Sequence, residues 1–454
     1  MIQFNYNRRR FLKNSSASLA LSFLGDYGLD LLYREKKWRV GLIGCGWYGK
    51  SDLARLMQVA RVDVVALCDA DQHHLREAVA LVQQRLGTST APRTYTDYRK
   101  MLANHELDLV VIGTPDHWHA LTMIDAVKAG AHVFVQKPTS VDVIEGEAML
   151  AAARKYNRVV QVGTQRRSTP HLIEAKEKVV DAGLLGKVAY VEMCCYYHMR
   201  ANGNPAVIPI PEYFDYDIWT GPAPLRPFDK MPHRGWWRTF MEYCNGIIGD
   251  MCVHMFDAVR WLLDLDWPDR VYSTGGILVQ KDGKSNTPDT QTATFEYPEL
   301  RCVWNHRSWG NPVDPEYPWA FKIYGEKGTL SGSVWKYDFT PRGDGQKLHG
   351  DVMYEKEKFP EDLTEKDLEL HTAPAMRRHM LDFLAAIDSG GKPIADIREG
   401  HISSASCILG NLSMQLGRAL QYDPIERMVK NDPEATRLLN RDYREGWVHP
   451  VVES

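Results

Sequence analysis

Asp250 and His254 stand four residues apart in "GDMCVHMFD", the stretch covering 249–257. On a helix that spacing puts both side chains on one face, close enough to act together. An imidazole titrates near working pH, so a histidine there is suited to take a proton from a hydroxyl. A carboxylate one turn earlier is placed to orient the ring or to hold a neighbouring hydroxyl. The same stripe, continued by Asp257 and Trp261, also fits a plainer helix with a solvated acidic face. Its core side would then carry Ile248, Met251, Cys252, Met255, Val259 and Leu262. What else the fold brings beside this stretch decides between the two.

A second group of residues points to phosphate. Gly44, Gly46 and Gly49 form GxGxxG, with Trp47 and Tyr48 inside the turn. The apolar run "VGLI" precedes the pattern and a helix-like segment follows it, which is the context that gives the glycines meaning. The first allows a tight turn, the second lets a pyrophosphate approach the backbone, and the third lets helix pack on strand. Free N–H groups at the helix start then face the phosphates. The next run, "VDVVALC", ends at Asp69, 25 residues after Gly44. An acid there accepts the ribose hydroxyls of NAD and repels the extra phosphate of NADP. Ala70, Asp71 and Gln72 follow with no arginine among them, so NAD is the expected cofactor.

Two more strand-like runs end in polar residues: "LDLVVIG" leads to Thr114, Pro115 and His117, and "AHVFV" leads to Gln136 and Lys137. In a doubly wound sheet ligands gather outside the carboxyl ends of the strands, so these residues join the expected cofactor rim. Residues 37–162 are therefore expected to form an α/β Rossmann domain with a doubly wound parallel sheet. Residues 163–454 read as an α+β substrate domain. It is expected to have a large, open, mostly antiparallel sheet and C-terminal helices, two of them in 373–420 joined by a Gly-Gly turn. Between about 201 and 240 lies a Pro-rich aromatic stretch with Trp219, Trp236, Trp237 and Arg238. Aromatic faces interleaved with polar groups suit a pyranose, which offers C–H faces to stack and hydroxyls to bond.

The bulk properties narrow the class. The chain has 454 residues, a net charge of −3, 44% hydrophobic and 25% charged residues. That length predicts two domains. The charge gives no electrostatic case for nucleic acid, and no apolar run is long enough for a membrane span. Eight cysteines show no zinc spacing and read as buried thiols, and no metal site is expected. Residues 1–36 hold "NRRRFLKNSSASLALSFLG", with paired Arg8 and Arg9 before a modestly apolar stretch. This is similar to a twin-arginine export leader and predicts a periplasmic or exported protein, cytoplasmic only if the leader does not function.

Taken together, "GCGWYG", "CDAD", "TPDHWH", "QKP", "VGTQRRS", "GEKGTL" and the segment around Asp250 resemble the glucose–fructose oxidoreductase / inositol dehydrogenase family (Gfo/Idh/MocA). The leader, "FDYDIWTGPAP" (214–223) and "NDPEATRLLNRDYREGW" (431–447) resemble its exported, sugar-acting branch. The resemblance implies that Lys137 lies beside the nicotinamide and that Lys137, Asp250 and His254 form the catalytic set. Gln136 stands where the family usually has glutamate. By the same resemblance Gln165 joins the cofactor site, while Arg166, Tyr197, His198 and Tyr317 join Trp237 and Arg238 at the substrate. It further implies a cis Lys137–Pro138 bond and a homo-oligomer formed through the open face of the second sheet. The expected activity is NAD-dependent oxidation of a secondary hydroxyl of a sugar or glycoside, with carbon 3 one option. The alternative is a redox-neutral glycoside hydrolase that keeps its NAD. NAD-dependent α-N-acetylgalactosaminidases work that way but lack the lysine-proline motif. A third reading is a cofactor-binding or scaffold subunit without catalysis, against which the intact Lys137, Asp250 and His254 argue.

Overall fold

In the computed structural model the described residues are 36–197, 200, 203–231, 233–364 and 369–452. The export-like leader and His198 lie outside them. The first half alternates strand and helix: β1 (Trp38–Ile43), α1 (Trp47–Val59), β2 (Val62–Cys68), α2 (Gln72–Leu86), β3 (Arg93–Tyr95), α3 (Tyr98–Asn104), β4 (Leu109–Ile112), α4 (His119–Lys128), β5 (His132–Val135), α5 (Val143–Lys155) and β6 (Val160–Val162). The six strands pair in parallel in the order β3-β2-β1-β4-β5-β6. That order reverses direction between β1 and β4, the switch point where a doubly wound sheet opens a crevice. All four residues of β4 are buried, as expected for a strand covered by helices on both faces.

The second sheet has eight strands: β7 (Val188–Cys195), β8 (Arg270–Gly276), β9 (Thr290–Glu296), β10 (Arg301–Arg307), β11 (Trp319–Gly325), β12 (Gly328–Ser333), β13 (Lys336–Pro341) and β14 (Leu348–Asp351). Their order is β14-β13-β12-β11-β7-β10-β9-β8, with only the β7–β10 pair parallel. The helical elements of this half include α6 (Pro170–Ala175), α7 (Tyr216–Thr220), α8 (Val253–Leu262), α9 (Ala373–Ser389) and α10 (Ile397–Leu416). Residues of α8 and α10 share one core with the inner face of the sheet, including Phe256 stacked on Phe295 at 4.2 Å. On the outer face Tyr190, Tyr272 and Tyr324 are exposed, and Tyr190 pairs across the ladder with Tyr324.

The expected assignment of the C-terminal helices needs correcting. α9 packs on the first sheet: Met380, Phe383 and Leu384 join Val40, Leu42 and Phe134 in its core. The apolar stripe of α9 says that it must be covered but not by which domain. α10 stays with the second sheet, and Gly390, at φ +62°, ends α9 as the Gly-Gly turn predicts.

Candidate active site

The glycine turn does what its spacing requires. Gly44 has φ +87°, and a Cβ there would lie 2.5 Å from the backbone N of Thr114. A Cβ on Gly49 would lie 1.9 Å from the Gly44 carbonyl, so this glycine keeps α1 against β1. Around Gly46 no protein atom lies within 4 Å of an added Cβ, which leaves room for a ligand at that point. Gly46 is also the cap of α1 and brings no side-chain hydrogen bond, so the first N–H groups of the helix are open to an anion. Asp69 stands at the end of β2, its Oδ2 accepting from Cys45 N at 2.7 Å and its Oδ1 from Asp71 N at 2.8 Å. His74, 3.6 Å from the same carboxylate, is raised above its usual range although burial opposes its charge, because Asp69 outweighs that penalty.

These residues line a cleft of about 590 Å³ shared by both halves of the chain. Gly44, Gly46, Trp47, Tyr48, Asp69, Thr114, Pro115, Gln136 and Lys137 come from the first half. Arg166, Tyr197, Trp237, Arg238, Asp250 and His254 come from the second.

The opening pair is buried in this cleft, not on a solvated face. Asp250 is 6% and His254 4% exposed, and Asp257, further along the stripe, is fully buried against Arg167. Ile248–Cys252 forms a wide π-helical turn before α8 begins, a distortion common at functional sites. Among the described residues Asp250 makes no hydrogen bond to His254, so the first of its two expected roles, orienting the ring, is not seen. Its Oδ1 takes hydrogen bonds from Lys137 Nζ and, at 3.1 Å, from Arg238 Nε, while its backbone carbonyl accepts a second one from Lys137 at 3.0 Å. Burial works to raise the Asp250 carboxyl, but the charges of Lys137 and Arg238 overcome it and hold it at about 2. His254 Nδ1 is buried without a hydrogen-bond partner among the described residues, and the ring sits edge-on to Trp319 at 5.5 Å. Burial first, then the charges of Lys137, Arg166 and Arg238, push His254 well below its ordinary value, so the imidazole is neutral. Lys137 precedes Pro138 through a cis peptide bond, as the resemblance implied.

Gln136 donates from Nε2 to Asp52 Oδ2 at 2.7 Å beneath the lysine. Burial raises Asp52 to about 8, so at neutral pH this contact joins an amide to a carboxylic acid.

Four expected residues are placed differently. His117 does not line the cleft. Its Nε2 meets the Trp219 carbonyl at 3.1 Å and its ring packs among Trp118, Trp219 and Tyr243, where burial lowers it to about 3. The chain turns tightly over Asp116–Trp118, which buries His117 and brings Trp118 to the cleft. Tyr317 is bound to Asp338 through its hydroxyl and stands off the cleft. Two residues on, Trp319 takes the place expected for it. Gln165 supports the site from behind, donating to the Tyr48 hydroxyl at 3.2 Å. Gly49 acts only through packing.

Sequence reasoning missed His74, Trp319, Trp335, Glu369 and His371, all of which line the cleft. His74 had a readable signal, one helical turn past Asp69 at the start of α2. The others carry no motif and arrive from distant parts of the chain.

A glycine cradle at a switch point, an acid at the end of β2 and a Lys–Asp–His cluster across the cleft define the architecture of a nicotinamide-dependent oxidoreductase. Residues 38–164 match the oxidoreductase family with an NAD-binding Rossmann fold, and residues 171–295 and 348–449 match its C-terminal alpha/beta domain. The chain belongs to this Gfo/Idh/MocA family, and its first domain is an NAD-binding Rossmann domain. Among its relatives, the myo-inositol 2-dehydrogenase of Thermotoga maritima is 24% identical over 295 residues, 64% of this chain and 74% of that protein. A glycosyl hydrolase family 109 protein of Shewanella sp. is 28% identical over 189 residues, 37% of this chain and 41% of that one. In fold, the chain resembles levoglucosan dehydrogenase in complex with NADH and levoglucosan. The TM-score is 0.62 at 18% identity, covering 85% of this chain and 99% of the other.

Proposed function

We propose that the protein oxidises a secondary hydroxyl of a sugar or glycoside, with carbon 3 the first position to test. The observation that carries this reading is the convergence of Lys137, from the end of β5, on Asp250 beside His254 across the cleft. Bound NAD supplies the hydride acceptor. His254, neutral and facing the cleft, takes the hydroxyl proton. Lys137, held in place by Asp250, donates a hydrogen bond to the reacting oxygen and stabilises its developing negative charge. The alcohol loses one hydride from carbon and one proton from oxygen, giving ketone, NADH and H⁺. Trp237, Trp319 and Trp335 offer faces for the sugar ring, and Tyr197 and Arg238 offer donors for its hydroxyls. The substrate role of Tyr317 is not carried forward, since it stands off the cleft.

The deciding experiment supplies purified protein with NAD and a chromogenic glycoside, and follows NADH, ketone and aglycone together. NADH rising in step with ketone is expected. Aglycone released with no net NADH would replace this reading with redox-neutral hydrolysis. We further infer a homo-oligomer through the face that exposes Tyr190, Tyr272 and Tyr324, to be checked by light scattering. We infer export directed by Arg8 and Arg9, to be checked by fractionating cells that carry an Arg8→Lys, Arg9→Lys variant.

A further inference from the structure

Arg166 and Arg167 sit on one turn after β6, equally buried and differently treated. Arg167 is paired: its Nε and Nη2 donate to the two oxygens of Asp257 at 2.8 and 2.9 Å. Arg166 lines the cleft at 2% exposure, and its Nε and Nη1 are buried with no hydrogen-bond partner among the described residues. A guanidinium does not give up its proton in a protein, so burial leaves it charged and short of acceptors. The carboxylate of Glu369 is near enough to favour that charge, yet makes no ion pair with it among the described residues. Lys137 and Arg238, the other two cations of this end of the cleft, already share Asp250. Three positive charges therefore face the carboxylates of Asp250 and Glu369, which leaves one in excess where the substrate must lie.

The position of that charge is defined by Trp319. The Arg166 guanidinium lies over its ring at 5.2 Å, and His254 meets the same ring at 5.5 Å. The same indole therefore borders both the proposed base and the guanidinium. The planar fork of arginine matches a carboxylate, two parallel N–H donors to two oxygens. Burial holds His371, which lines the cleft beside Arg166, neutral with a value of about 4. This end therefore carries an excess of one positive charge, which suits a monoanion better than a phosphate.

We propose that the substrate is an acidic sugar, of the uronate or aldonate class, whose carboxylate is bound by Arg166 while its secondary hydroxyl meets Lys137 and His254. This rests on the dehydrogenase reading for the second contact only.

The test titrates NAD-loaded full-length protein with methyl glucuronide and methyl galacturonide, their neutral methyl glycosides, and glucose 6-phosphate, by calorimetry. At least one uronide binds ten-fold or more tightly than its neutral partner, and Arg166→Gln collapses that ratio toward one. Arg166→Lys, which keeps charge without the fork, restores only part of it. Equal or tighter binding of the neutral glycosides, stronger binding of the sugar phosphate, or an unchanged ratio in Arg166→Gln overturns the proposal. Should the variants fail to fold, the wild-type ratio alone decides it. The two readings fail separately: a uronide that binds preferentially without yielding NADH refutes the dehydrogenase alone. NADH formed equally from neutral and acidic glycosides refutes the carboxylate alone.

Discussion

The base proposed at His254 would act as a neutral ring, and its surroundings determine how that shows in solution. Burial and three nearby cations lower it well below 6.5, so no loss of activity from its protonation is expected between pH 6 and 8. His254→Ala should lower turnover by about 100- to 10,000-fold, the usual worth of a positioned base. A pH–rate profile on both proteins checks this: an acid limb near 6.5 that vanishes in the variant would assign the ring an ordinary value. Asp116 gives the opposite kind of signal. It is 1% exposed with neither carboxyl oxygen partnered, and burial raises it from 3.8 to about 7 against the pull of Arg238 and Lys137. The folded state then holds a proton that the unfolded state has released, so stability falls as pH rises from about 3.8 to about 7. Asp116→Asn should flatten this part of the urea-unfolding profile and leave the variant relatively more stable at pH 8 than at pH 5. A slope that persists unchanged would place the proton elsewhere.

At the scale of elements, the most legible feature was the turn from β1 to α1. Gly49 is constrained by the nearby Gly44 carbonyl and Gly44 by its own φ of +87°, so their spacing nearly specifies the geometry, although the backbone that closes on Gly44 is that of Gly113 and Thr114. Gly49→Ala should shift α1 away from β1, because the new methyl meets the Gly44 carbonyl. The expected result is loss of retained NAD and a lower Tm, read by mass spectrometry of the released cofactor and by thermal unfolding. Full cofactor retention would mean that α1 moves without cost to the cradle. Strand ends were legible as places, less so as directions. Thr114, Pro115 and Lys137 reach the cleft, but the tight turn at Asp116–Trp118 buries His117 and presents Trp118. The helix that opened the question shows the same limit. The Asp250–His254 spacing picked two residues that both line the cleft, but a π-turn precedes α8, and Asp250 holds Lys137 and Arg238. Local spacing carries element type well. It carries side-chain partners poorly, because those are chosen by segments far along the chain.

The whole molecule is tied across just such distances, which is why its assembly was not readable in advance. Arg377 of α9 and Arg55 of α1 meet at Asp362, and the C-terminal segment returns to α5, where Asp142 meets His449 at 2.8 Å. Between the two halves, Arg167 from the turn after β6 is bound to Asp257 of α8. Ser403 of α10 donates to the same carboxylate at 2.8 Å, and Arg260 bonds the Glu399 side chain at 3.0 Å. Burial would raise Asp257, but Arg167 overcomes it and the carboxyl lies below 3.8. Its contribution to stability is thus present above that value and is lost as acid titrates it in the folded state. Removing Asp257 leaves the buried Arg167 only the more distant Glu399 carboxylate at 3.5 Å, so Asp257→Ala should cost about 3–5 kcal/mol. Replacing both members with apolar residues of similar size, Arg167→Met with Asp257→Leu, should cost less than the single change, because no charge is left unpaired. Urea unfolding of the three proteins at pH 7 makes the comparison. A double variant less stable than Asp257→Ala would mean that the pair itself, and not the avoidance of a stranded charge, holds α8 and the rim of the cleft together.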